Sequence, residues 1–474
     1  MVDLELKRLP DVPLHELSAS EAVKLIGTKR LRAADLLDAC FAQIGRWDSS
    51  VHAWVHLDRD CAMQAAAAVD RNVAEGSAVG ALAGVPIGVK DIFNADGMPC
   101  EMGSPIWAGF TPGNDARVVH YLRMAGAILP GKTVTAEFAV HAPGPTENPH
   151  RRDYIPGTSS SGSAAAVAAY MVPIALGTQT AGSIIRPASY CGIYGFKPSF
   201  GVVPRTGMLK TTDSLDTVGW FARTIDDLAL MFDTVRVKGS DYPILEAAYQ
   251  DAERQQRPAG RPWRVAFLRG PKWSDAPAET RAAVETFAAQ LQNLSGIEVK
   301  EVPAPSELFE AHQVHERIYD RALAYYFKEE FRQHTLVSQQ IYETVERGNG
   351  LSPEDYHEAL RRQTQIAEAM EHFFNDGCDV ILDIATAGEA LEGLETVDRP
   401  DHALIWTLCR LPAVSVPALT GATGLPLGVQ FVARRYNDPL LFRFLRSLDE
   451  LGIMPHRTHP EPPMAHEAQA MELA

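Results

Sequence analysis

The stretch GTQTAGSIIRPASYCGIYGFKPSFG, Gly177 to Gly201, sets a serine, Ser183, directly after Ala-Gly and follows it with an apolar pair, an arginine and a proline. A serine hydroxyl is a weak nucleophile unless a neighbouring group removes its proton. The stretch therefore asks which residue activates Ser183. Upstream, from Gly157, Gly, Ser and Thr stay dense around an Ala-rich helical segment, SAAAVAAYMV. Such density marks backbone that turns tightly or comes close to a ligand.

On the N-terminal side, Ser18 and Glu21 have capping-box spacing ahead of an apolar stripe, which predicts a helix start. RAADLLDACFAQIGRW reads as an amphipathic helix, VHAWVHL as a short strand and RDCAMQAAAAVDRNVAEG as an Ala-rich helix. LAGVPIGVKDIF is an apolar, strand-like run carrying one lysine, Lys90, and ARVVHYLRMAGAILPGKTV reads as helix, turn, strand. On the C-terminal side, WRVAFL, a helix from about Glu279 to Leu294 and GIEVKEV form a strand–helix–strand unit. A polar-faced helical region covers about 305–375, and CDVILDIA, LPAVSVPAL and LPLGVQFVARR resume the strand pattern. This alternation predicts an α/β class: a single large domain, 1–460, with a mixed, mostly buried central sheet covered by helices. Residues 461–474 read as an irregular tail.

The chain has 474 residues, 44 basic against 60 acidic, for a net charge of −16. That balance argues against a nucleic-acid binder, though a local basic patch is compatible with it. Six widely spaced cysteines (Cys40, Cys61, Cys100, Cys191, Cys378, Cys409) contain no CxxC pair and read as reduced thiols. The start shows no basic region followed by an apolar core, and no apolar run reaches the roughly 18–20 residues of a membrane span. A cytoplasmic protein with no membrane association is the expectation.

No G-x-S-x-G elbow is present, which disfavours an α/β-hydrolase. His312 and His315 stand three apart in a helical segment, and His52 and His56 four apart. The plain reading of both pairs is surface or edge histidines, because no nearby acid or cysteine completes a zinc motif. Lys90 is the other candidate base. Burial among strand residues would disfavour its ammonium form and free the amine for proton abstraction. The alternative is a strand-end lysine that snorkels to water. PGTSSSGSAAA offers Ser159, Ser160, Ser161 and Ser163, and taken alone this is as well a flexible loop or a helix cap.

Four segments in order change that balance: GVPIGVKDIF, LPGKTVTAEFA, the Gly- and Ser-rich stretch from PGTSSSGSAAA through Gly201, and SLDTVGWFARTIDDLAL. With LPAVSVPALTGATGLPLGVQFVARR, the chain resembles the amidase signature family from about residue 18 to 445, its core signature lying at about 80–235. The resemblance implies a Ser–cisSer–Lys triad that hydrolyses amide bonds through an acyl-enzyme without cofactor or metal. By motif position Ser183 resembles the nucleophile, Ser159 the bridging serine of a cis peptide and Lys90 the base. Thr180, Ala181, Gly182 and Ser183 occupy the oxyanion-loop positions. Ser160 is implied as a supporting hydroxyl, and Asp216 with Arg186 as ion-pairing residues that hold the loops.

Two departures stand out. The chain reads Ala-Gly-Ser-Ile-Ile-Arg-Pro where members commonly have Gly-Gly-Ser-Ile-Arg, and Thr158 and Ser161 replace two glycines. Specificity in the family lies outside the signature, here in the helical region with Tyr319, Tyr325, Tyr326, Phe327 and Tyr342. If these line the pocket, an aryl or hydrophobic acyl group suits it. The expected function is thus an amidohydrolase on a small-molecule amide. Carbamate or urea hydrolysis, and the role of a subunit in a tRNA-dependent amidotransferase, are the alternatives. Many relatives are dimers, so a homodimer is also implied.

Overall fold

The apolar runs pair into one sheet. A computed structural model describes residues 12–375, 377–396, 401–454 and 459–460. Among them the strands are β1 (Trp54–Leu57), β2 (Ile87–Lys90), β3 (Gly131–Thr133), β4 (Ile174–Gln179), β5 (Tyr194–Lys197), β6 (Thr217–Ala222), β7 (Trp263–Leu268), β8 (Ile297–Val302), β9 (Val380–Ile384), β10 (Ala413–Thr420) and β11 (Pro426–Ala433). Their order across the sheet is β1-β3-β2-β4-β6-β5-β10-β11-β9-β7-β8. The pairs β2–β3, β2–β4, β7–β8 and β7–β9 are parallel and the others antiparallel. The sheet is therefore mixed, and β2, β4, β5, β6, β9 and β11 are buried along their whole length. Strands buried on both faces must be covered by helices.

The capping box at Ser18 forms: Ser18 Oγ accepts from the Glu21 N–H at 3.2 Å, and the Glu21 carboxylate accepts from the Ser18 N–H at 2.8 Å. Strands β4, β5 and β6 escaped the sequence reading, because IALGTQ, GIYGFKP and DTVGWFA are short and broken by glycine. They sit centrally, between β2 and β10. Helix Ser161–Ala168 is buried on every side, which its small residues permit. Helices Ala311–Tyr326, Gln339–Asn349 and Pro353–Asn375 form the predicted helical region and pack on one another. The expected irregular tail, 461–474, lies outside the described residues.

One aromatic cluster joins sheet to helices. Phe196 of β5 is fully buried, with its ring 5.2 Å from Trp220, 6.0 Å from Phe232 and 4.7 Å from Phe442. Those partners come from β6 and from helices Ile225–Val235 and Asp438–Glu450. Phe196→Ala should cost about 3–5 kcal/mol, because three rings cannot close over the space left behind. A urea denaturation midpoint that falls by the corresponding amount checks this; an unchanged midpoint contradicts it.

Candidate active site

Two adjacent parallel strands deliver the site. The register Ile87↔Ile174, Gly88↔Ala175, Val89↔Leu176 brings the carboxyl ends of β2 and β4 side by side. Lys90 is the last residue of β2, and Ser183 follows β4 by four residues. Crevices at the carboxyl ends of parallel strands are where α/β sheets hold ligands.

Lys90 is fully buried. Its Nζ lies 2.8 Å from Ser159 Oγ, 2.9 Å from Ser160 Oγ and 3.1 Å from Thr178 Oγ1. Among the described residues no carboxylate pairs with it. The carboxylate next in sequence, Asp91, bonds Lys132 at 2.7 Å instead. Burial drives the Lys90 amine well below the ordinary lysine value, against the opposing pull of Asp216. The snorkelling alternative is excluded by this position. The peptide bond Thr158–Ser159 is cis, as the resemblance implied. Gly177 of β4 is needed for this packing: a Cβ there would lie 2.8 Å from the Phe221 ring and 3.0 Å from Ser160 Oγ.

Ser183 is 7% exposed, at the end of a loop whose three preceding carbonyls are engaged. His315 Nε2 bonds the Thr180 carbonyl at 2.9 Å, Thr407 Oγ1 donates to the Ala181 carbonyl at 2.8 Å, and the Arg186 N–H donates to the Gly182 carbonyl at 3.0 Å. Gln179 Oε1 takes the N–H groups of Ile184 and Ile185 at 2.9 and 3.0 Å. Among the described residues, no hydrogen bond takes the N–H of Ala181, Gly182 or Ser183. Gly182 gives the close approach its neighbour requires, since a Cβ would stand 2.4 Å from the Asp401 carboxylate.

Asp216 and Arg186 do not pair with each other, which corrects the expectation. Asp216 is buried and accepts from Thr180 Oγ1 (2.9 Å), from the hydroxyls of Thr211 (2.6 Å) and Thr212 (2.8 Å), and from both their N–H groups. It braces the loop through hydroxyls. Arg186 Nη2 instead bonds Asp401 Oδ2 at 2.8 Å, both side chains nearly buried. Burial opposes the Asp401 charge, but Arg186 and the Ala403 N–H hold it below the usual carboxylate range.

A cavity of about 490 Å³ opens beside this loop, lined by Thr158, Ala181, Arg186, His315, Tyr319 and Asp401 among others. Of the five aromatics weighed as pocket wall against the plainer reading of core packing, only Tyr319 lines it. Phe327 packs on Phe138 at 4.8 Å, Tyr342 stacks on Phe331 at 4.9 Å, Tyr326 donates to Asp213 and Tyr325 is 75% exposed. Nor is His315 a surface histidine: it is 5% exposed and stacks on Tyr319. His52 is exposed and His56 half-buried. Sequence reasoning missed Thr178, Gln179, His315, Asp401 and Thr407. A TQ pair ending a strand was the one local hint available.

Sheet order, the lysine–serine cluster and the serine-bearing loop together define an α/β protein of the amidase-signature class. Residues 35–442 match the family model described as Amidase. The chain belongs to the amidase family, enzymes acting on C–N bonds. It is 34% identical to a glutamyl-tRNA(Gln) amidotransferase subunit from Anaeromyxobacter sp. (strain K), over 96% of this chain and 99% of that one. A solved chain from work on the evolutionary origins of an s-triazine catabolic enzyme is 28% identical, with a TM-score of 0.81, covering 93% of this chain and 100% of that one. The peptide amidase of Stenotrophomonas maltophilia, 24% identical, shares the fold with a TM-score of 0.82 over 95% of this chain and 100% of its own. Among the described residues no helix is long and apolar enough to cross a membrane, and all six cysteines are unpaired.

Removing one partner of a nearly buried ion pair strands the other charge. Arg186→Ala should therefore destabilise the fold by about 3–5 kcal/mol, and the double variant with Asp401→Ala by less than the sum of the single ones. Additive urea-denaturation losses would contradict that coupling.

Proposed function

We propose that the chain hydrolyses carboxamide C–N bonds through an acyl-enzyme on Ser183, with Lys90 as base and Ser159 as proton relay. The observation that carries this reading is the Lys90 amine, buried without a carboxylate and surrounded by three hydroxyls. A neutral amine has two N–H donors and one lone pair, and hydroxyls can serve either need. The cage therefore suits the uncharged base that the chemistry requires.

The sequence of events follows from those parts. Ser183 Oγ forms a bond to the carbonyl carbon while its proton passes through Ser159 to Lys90. The negative charge on the carbonyl oxygen is met by the N–H groups of the 181–183 loop, which carry no other bond among the described residues. Collapse breaks the C–N bond, and the proton returns through Ser159 to the departing nitrogen. Water then attacks the acyl carbon by the same relay and frees Ser183. The cavity lining, rich in guanidinium, imidazole and carboxylate groups, favours a small polar acyl group over an aryl one. Carbamates and ureas present the same carbonyl and belong in any test.

A second reading rests on the 34% identity, over nearly full length, to an amidotransferase subunit. In it the amide is glutamine and the ammonia passes to a partner. The acidic balance of the chain supports the first reading, in which the chain acts alone, in the cytoplasm, on a small molecule. Amine and ammonia release by the purified chain from aryl, alkyl and small polar amides, glutamine, carbamates and ureas separates the two. Turnover of small polar amides without partner or tRNA is expected. Activity on glutamine alone, appearing only with partner subunits and tRNA, would overturn it.

Ser183→Ala and Lys90→Ala should each lower kcat by about 10³-fold or more, because members of one relay fail as a unit. Residual turnover within about tenfold of wild type would contradict the triad. Activity should fall on acidification as Lys90 takes up a proton, with a midpoint well below the ordinary lysine value. Asp216 raises the Lys90 value, so Asp216→Asn should move that limb to lower pH. A shift to higher pH, or a profile that stays flat into the acid range, would show that another group is titrating.

A further inference from the structure

The loop between Thr180 and Ser183 is held from outside by groups that belong to different parts of the chain. In a trans peptide the carbonyl of one residue and the N–H of the next lie in one plane and point in opposite directions. Whatever fixes the carbonyl of one residue therefore fixes the N–H of the residue after it. His315 on the Thr180 carbonyl sets the direction of the Ala181 N–H. Thr407 on the Ala181 carbonyl does the same for Gly182, and the start of helix Ile185–Cys191 does so for Ser183.

We infer that His315 is a positioning residue for the proposed hydrolysis: its Nε2–H on the Thr180 carbonyl aims the Ala181 N–H into the cavity as an oxyanion donor. This rests on the acyl-enzyme reading. The carbonyl oxygen can only accept, so Nε2 must carry the proton. Burial disfavours the imidazolium, which leaves a neutral ring donating through that nitrogen. The ring is fixed on its face by Tyr319, at 5.6 Å and 22°. His312, one turn earlier on helix Ala311–Tyr326, makes a ring-nitrogen bond of 3.0 Å to the Asp401 carbonyl, so two bonds anchor this helix beside the cavity. Thr180 has little freedom left, because its hydroxyl is tied to Asp216 while its carbonyl is tied to His315. The same imidazole lines the cavity beside Ala181. The helical region thus shapes the pocket and also aims a donor of the reaction centre.

Two variants separate donation from packing. His315→Phe keeps a ring against Tyr319 and removes the donor; His315→Gln keeps an N–H able to reach the carbonyl. Both are compared with wild type and Ser183→Ala in two assays. One is the rate of Ser183 labelling by a fluorophosphonate, followed by intact mass. The other is kcat and KM on the best amide of the panel, with circular dichroism as a check of folding. His315→Phe should lower labelling rate and kcat about 10²-fold with KM within about threefold, the range seen when one oxyanion donor is lost. His315→Gln should return most of both. Wild-type rates in His315→Phe, or equal losses in Phe and Gln carried by KM, would overturn the inference while leaving the acyl-enzyme reading intact. Failure of the wild type to label at Ser183 would overturn that reading and the inference with it.

Discussion

A lysine amine without water and without a carboxylate is the constraint around which this site is arranged. Among the described residues three lysines are buried, and each is treated differently. Lys132 receives the Asp91 carboxylate at 2.7 Å. Lys197, driven by burial to about 7, donates to the backbone carbonyls of Pro198 and Leu411. Lys90 receives only hydroxyls. An isolated ammonium in such a place would cost many kcal/mol, which is why burial drives the Lys90 value well below the ordinary lysine value. Strand alternation makes the difference: Lys90 and Asp91 are neighbours in sequence but turn to different partners, so the negative charge next in sequence is engaged elsewhere.

Keeping that amine dry and caged requires the rest of the fold. The parallel pairing of β2 with β4 brings Thr178 to Lys90, and Gly177 lets Ser160 lie against the strand. The buried helix Ser161–Ala168 starts directly after the two serines and holds their backbone. Asp216, with Thr211 and Thr212, braces the far side through hydroxyls instead of a cation. With hydroxyls and N–H groups in place of a cation on Asp216, its charge stays in play and partly offsets the desolvation that drives the Lys90 value down.

The parts legible in the sequence were those whose chemistry is written locally. The capping box at Ser18, the lysine at the end of an apolar strand and the small residues before Ser183 are encoded within a few positions, while the cis bond at Thr158–Ser159 was implied by the family resemblance alone. The alternating pattern was enough for an α/β class. The central strands β4, β5 and β6 were missed because their glycines break the apolar period, and because burial there comes from neighbours in the sheet. The partners of the loop were missed for a different reason. His315 lies 135 residues from Thr180, Thr407 226 from Ala181 and Asp401 215 from Arg186. Nothing local distinguishes a histidine that grips a distant carbonyl from one facing water. The same blindness explains Arg186, assigned to Asp216 by its place within the signature and found on Asp401.

That division also explains why the reaction is easier to read than the substrate. Proton transfer and oxyanion stabilisation need backbone shapes and hydroxyl spacings that only particular short motifs supply, so the family and its C–N chemistry are written in contiguous residues. The cavity beside the loop needs no particular backbone. It is walled by Arg186, His312, His315, Tyr319, Arg347 and Asp401, drawn from the signature and from three separate later segments. The aromatic count of the helical region suggested an aryl pocket, yet most of those rings turn to the core, to one another or to solvent. Ring composition reports how a helix packs; which atoms face the cavity depends on how that helix is docked. Here the docking is fixed in part by the His315 bond to the loop, so pocket polarity and loop geometry share one contact.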